Sequence, residues 1–203
     1  MSTANLRAAA IALALGLGAC GAPAPKEQFF TLAAPNPGVA PPASQRPSVF
    51  VGPVSVPEAV DRSQMVLTTG PNQVDVSDDY RWAEALRNAI PRVIAETLSR
   101  ELGSSRVLAS RMAAGTPVDY RVAIEVQRFD SSLEAGAAID ALWTVTAAHP
   151  AATRTGRSSV HEDATTHDPA AIAAAHGRAL AQVARDIAQA IRSLQAQAPP
   201  SSQ

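Results

Sequence analysis

Apolar and polar residues alternate most strictly from Val118 to Gln127, where Val118, Tyr120, Val122, Ile124 and Val126 are separated by Asp119, Arg121, Ala123 and Glu125. A period of two puts one set on a buried face and predicts a strand. After the turn-like Ser131-Ser132-Leu133-Glu134-Ala135-Gly136, the alternation resumes at Ile139, Ala141, Trp143, Val145 and Ala147, so the two runs predict an antiparallel hairpin. A third, more polar strand is expected within Gly156 to Thr165, at an edge or facing solvent. Upstream, Met65–Thr69 and Gln73–Ser77 flank the turn residues Gly70-Pro71-Asn72, which gives a second strand pair. Val49, Val51, Val54 and Val56 alternate in two runs offset at Gly52-Pro53, where the proline requires an edge or a bulge. Phe29 to Leu32 reads as a first strand, joined to the second by an exposed proline-rich loop over 33–47.

Two stretches change to a helical period. From Trp82 to Leu102 the positions Leu86, Ile90, Val93, Ile94, Thr97, Leu98 and Leu102 form one stripe, with oxygens of Ser77 to Asp79 placed to cap its start and Gly103 to stop it. Pro91 lies inside and should kink or split this helix. Asp168-Pro169 reads as N-cap and first helical residue of another helix, with a stripe at Ile172, Leu180, Val183, Ile187, Ile191 and Leu194. The expected fold is an α/β class single domain: a mixed, mostly antiparallel sheet with two long amphipathic helices packed on it in a three-layer-like arrangement. Trp82 is expected to bury its ring, and Arg81 and Glu84 to cap or pair locally.

Charge and cysteine narrow the function. The formal charge is −1, and removing Arg7 with a leader lowers it by one, so there is no electrostatic footprint for nucleic acid. The only cysteine is Cys20, which excludes an intrachain disulfide. It follows Arg7 and an apolar run of about a dozen residues, too short to span a bilayer of roughly 30 Å. Leu17-Gly18-Ala19-Cys20 resembles the lipobox of bacterial lipoproteins, in which the cysteine is lipidated before cleavage. The expected organisation is a signal peptide over 1–19, a lipidated tether over 20–26, a domain over 27–195 and a flexible tail over 196–203. Gly21, where an aspartate would retain the protein at the inner membrane, favours the outer membrane, facing the periplasm.

Catalytic constellations are not evident. His149, His161, His167 and His176 do not form a metal-ligand spacing and read as loop or surface residues, so no metal or cofactor is expected. Ser158, Ser159, His161, Glu162 and Asp163 have the residue types of a triad, but neighbours on one strand alternate faces and do not converge. GPVSVP and TTGPNQ contain prolines where a phosphate loop needs amides. The protein is therefore expected not to be an enzyme.

The order DRSQMVLTTGPNQVDVS then RWAEAL, with VFVGPVSVPEAVDR before it and QRFDSSLEAGAAIDALWTV and LAQVARDIAQAI after it, resembles the PqiC/YmbA family of ABC-type transport auxiliary lipoproteins. The resemblance covers nearly the whole mature chain. It implies a non-catalytic, lipid-anchored periplasmic component that works with an MCE-domain protein and an ABC transporter to move lipids between the two membranes. Exposed Asp78, Asp79 and Arg81 are the expected partner contacts, and a homo-oligomer is left open. The alternative is a stand-alone lipoprotein carrier with a hydrophobic ligand between sheet and helices.

Overall fold

A computed structural model of the 203-residue chain describes residues 26–35, 47–109 and 116–197. In chain order the elements are β1 (Gln28–Phe30), β2 (Val49–Ser55), β3 (Gln64–Gly70), β4 (Gln73–Trp82), α1 (Leu86–Leu102), β5 (Val107–Leu108), β6 (Tyr120–Ser132), β7 (Gly136–Ala147), β8 (Ala152–Glu162) and α2 (Pro169–Gln197). The eight strands form one mixed sheet.

The strict alternation seen in the sequence becomes the spine. β6 pairs with β7 antiparallel along its whole length, from Tyr120 opposite Ala147 to Ser132 opposite Gly136. β8 continues the meander as an edge strand, in register from Ala137 opposite Glu162 to Ala147 opposite Ala152. The other edge of β6 is divided between two arms. β2 pairs with its first half in parallel, and β3 meets its far end at Leu67 opposite Ser131. β5 extends the first arm, and β4 and β1 extend the second. Ser48 fixes the start of the β2–β6 register: its N–H and hydroxyl both donate to Asp119 Oδ2, at 2.6 and 2.7 Å. The bulge expected at Gly52-Pro53 appears as a register shift between Val51 and Val54.

Both helices cover one face. α1 packs against β2 and β5, α2 against β7 and β8, and the two helices against each other. The arrangement thus has two layers, not the three-layer-like one expected, because the other face of the sheet carries Arg121, Glu125, Asp140, Thr144 and Thr146. All the described core lies between Leu32 and Leu194. Within it, Leu32 to Ala34 cross α2 at Gly177, where an added Cβ would come within 2.2 Å of the Ala33 carbonyl oxygen. Only a glycine permits that approach.

Two local expectations are corrected. The chain remains a strand through Trp82, and α1 begins at Leu86 after an extended Ala85 that makes no side-chain cap bond. Ser77 does cap, but it caps a bulge: its Oγ accepts the N–H groups of Asp79 and Tyr80, where β4 gains residues relative to β3. The same hydroxyl chemistry that suits a helix start suits any short run of unpaired amides. α1 then runs unsplit through Pro91 and ends at Gly103, φ 60°, with Gly103 and Ser104 N–H donating to Arg100 and Ser99 carbonyls. Asp168 caps α2 as expected, its Oδ1 accepting the Ala171 N–H at 2.9 Å.

Candidate binding groove and interaction surfaces

The bulge and the shortness of β5 together open a groove. Among the described residues, β5 covers only Val49 and Phe50 of β2, so from Gly52 onward no described strand lies beside that edge, and α1 forms the opposite wall. The resulting groove has a volume of about 1130 Å³. Phe50, Val54, Pro91, Ala95, Val107 and Leu108 supply its apolar surface, and Leu108 is 49 % exposed. Arg87, Arg92, Glu96 and Arg100 line it from α1. Three of these four are paired. Arg87 meets Asp61 at 2.6 Å, and Arg92 bridges Glu84 and Glu96 while donating to the Leu32 carbonyl at 2.9 Å. Arg92 loses hydration by partial burial, but its bonds to Glu84 and then Glu96 outweigh that loss and raise its pKa further. Arg100 donates to Thr97 Oγ1 at 3.2 Å and makes no ion pair among the described residues. Sequence reading missed the groove, since its walls come from β2, α1 and β5.

The expected contact residues lie on the other arm of the sheet. Asp78 is exposed and Asp79 half-buried, both within the Ser77 bulge. Arg81 is less available: it pairs with Glu27 at 2.7 Å, and its Nε is buried without a partner. Glu84 pairs with Arg92, so the local-pairing reading of Arg81 and Glu84 describes both. Val74 and Val76, beside these residues in β4, are exposed at 59 % and 38 %. The β3–β4 hairpin therefore presents exposed apolar groups and acids together.

Three histidines are exposed, but His176 is not. It is fully buried, its ring stacked on Phe129 at 3.9 Å between centroids, with Trp82 edge-on at 6.0 Å. Its Nε2 lies 2.9 Å from Ser131 Oγ, and its Nδ1 has no partner. Burial lowers its pKa to about 3, so the ring is neutral. The spacing Ile172, His176, Leu180 was the available signal, because steps of four place His176 inside the apolar stripe. Ser158 and His161 do not converge. Ser158 is buried, accepting from Trp143 Nε1 at 3.0 Å and donating to Asp186 at 2.5 Å, while His161 is exposed beside Asp163. Among the described residues, no group of three potential ligands could hold a metal, and no helix is long and apolar enough to cross a membrane. Cys20 lies outside the described residues.

Comparison with known proteins places this architecture. The family model for the ABC-type transport auxiliary lipoprotein component matches residues 30–188. A crystal structure of an uncharacterized protein aligns with a TM-score of 0.63 at 16% identity, covering 82% of this chain and 99% of that one. A crystal structure of a Xanthomonas campestris protein of the DUF330 family aligns with a TM-score of 0.55 at 20% identity, covering 83% of this chain and 97% of that one. These similarities establish a shared fold. No protein of curated function matches the chain.

Proposed function

Because this chain belongs to the family of ABC-type transport auxiliary lipoprotein components, we propose that it is the lipid-anchored periplasmic member of an ABC- and MCE-type envelope transport system, moving lipids between the inner and outer membranes. The observation that carries this reading is the extent of the family match, residues 30–188, which takes in β2 to β8 whole, α1 and most of α2. In this reading the protein performs no chemistry and acts by contact. Acyl chains on Cys20 hold it to the outer membrane, since two chains anchor stably where one is marginal. The β3–β4 hairpin, with Val74, Val76, Asp78 and Asp79, meets the MCE-domain partner, and Arg81 orders the base of that surface.

Co-purification tests it. Tagged, lipidated protein extracted from envelopes in mild detergent should bring down an MCE-domain protein and its ABC transporter. Asp78→Lys should weaken that recovery while leaving the unfolding midpoint unchanged, because an exposed charge acts on encounter and specificity, and Asp79→Lys should weaken it further. Recovery of the protein alone would count against the assembly, and a stoichiometric lipid on that solitary protein would favour the stand-alone carrier. The open groove gives that second reading its one specific observation.

A further inference from the structure

We propose that the groove between α1 and the edge of β2 binds a single-tailed amphiphile with an anionic headgroup, tail on the apolar floor and head at Arg100. The inference adds a ligand to the transport role, but a chain that met no transporter could still bind it. It starts from an imbalance in the groove. Arg87 and Arg92 are neutralised by Asp61, Glu84 and Glu96, whereas Arg100 has no acid among the described residues. A guanidinium has five N–H donors, and one hydrogen bond to Thr97 leaves most of them for an incoming anion. Ser105 lines the groove at the same end. Away from it, Pro91 and Ala95 of α1 line the groove with Phe50, Val54, Val107 and Leu108, an apolar surface beside which Arg87, Arg92 and Glu96 are held in ion pairs and Arg121 lies over the Phe50 ring at 5.7 Å.

The dimensions suit a tail. Arg87 to Arg100 spans thirteen helical steps, about 20 Å at roughly 1.5 Å each, so the wall is long. The volume of about 1130 Å³ is slightly above the usual range for small-molecule sites, which run to roughly 1,000 Å³. A peptide strand added to β2 is the competing occupant, and the backbone opposes it. Pro53 has no N–H to offer, and the register shift between Val51 and Val54 breaks the row of donors that strand addition needs. An amphiphile requires no such row. It also covers the exposed Leu108, one of four large apolar side chains left in solvent among the described residues.

The test uses palmitate, lysophosphatidylglycerol and lysophosphatidylcholine below their micelle concentrations. Binding is followed by calorimetry on the unlipidated chain, residues 21–203, which keeps the whole described core; cooperative unfolding is verified first. Arg100→Gln should weaken the anionic probes about tenfold, as expected for loss of one charge-assisted contact, and leave the zwitterionic probe unchanged. Leu108→Asp, at an exposed position that should not disturb folding, should weaken all three by at least about tenfold. Palmitate alone would identify a carboxylate head, and lysophosphatidylglycerol alone a phosphate head. In the lipidated full chain in envelopes, a photo-reactive residue at position 108 should yield an adduct with an acidic lipid. Adducts only with polypeptide, no adduct, no binding, or Arg100→Gln affecting all probes equally would each overturn the proposal. A chain that recovers its transporter yet takes none of these probes would do so without touching the proposed role.

Discussion

At the scale of single residues, the buried polar groups set what can be tested. His176 cannot take a proton inside the core, whereas the unfolded chain takes one near pH 6.5. Its contribution is therefore fully present above pH 6.5 and is lost as pH falls from there toward about 3. Between pH 7 and 5 the stability should drop by about 2 kcal/mol from this group alone, and urea unfolding at the two pH values measures it. His176→Leu should remove that slope. Asp119 does not confuse the reading: partial burial opposes its ionisation, but the Ser48 bonds prevail and hold its pKa below the usual carboxylate range, so its effect comes only in more acidic solution. Trp143 is the second case. It was legible in the sequence as an inward residue of an alternating strand; its seat on Gly156, with no room for a Cβ within 2.2 Å of its ring, was not. Trp143→Ala should cost about 3–5 kcal/mol, and Gly156→Ala about 1–3 kcal/mol with a shift in tryptophan emission as the ring is displaced. Chain neighbours determine the first kind of fact, and cross-strand partners the second.

At the scale of elements, what could be read depended on whether one signal governed a segment. β6, β7 and α2 were legible because burial alone patterns them, and the observed burial alternates as the residues do. β4 was misread at its end because serine and aspartate favour both a helix start and a bulge, and only pairing with β3 decides between them. The forked edge of β6 had no local signal, since it is a choice of partners between distant strands. Cap residues allow a direct check of this distinction. Asp168→Ala should lower the urea unfolding midpoint, because the Ala171 amide loses its acceptor at the start of α2. Ser77→Ala should leave helix content by circular dichroism unchanged and loosen the Asp79 and Tyr80 amides in hydrogen exchange, since Ser77 serves a bulge in a strand and not α1. A fall in helicity would return Ser77 to the cap role that the sequence suggested.

At the scale of the whole molecule, the proposed role assigns folding and attachment to different parts of the chain. Every described core side chain lies between Leu32 and Leu194, and no helix among the described residues is long and apolar enough to cross a membrane. The proposed role assigns attachment to Cys20, from the lipobox alone, because a thiol is the group that a diacylglyceryl chain needs. Cys20→Ser keeps the size and polarity of that side chain but removes the thiol. The expected outcome is an unacylated precursor that no longer partitions with outer membrane after fractionation, while the purified domain unfolds at the midpoint of the wild type. Each methylene of a buried acyl chain is worth about 0.8 kcal/mol, so losing the chains removes far more membrane affinity than any surface patch of this nearly neutral protein would restore. Tight outer-membrane association of Cys20→Ser would show that the domain itself binds the envelope, and the search for its contact would then move to the β3–β4 hairpin, where Val74 and Val76 are exposed.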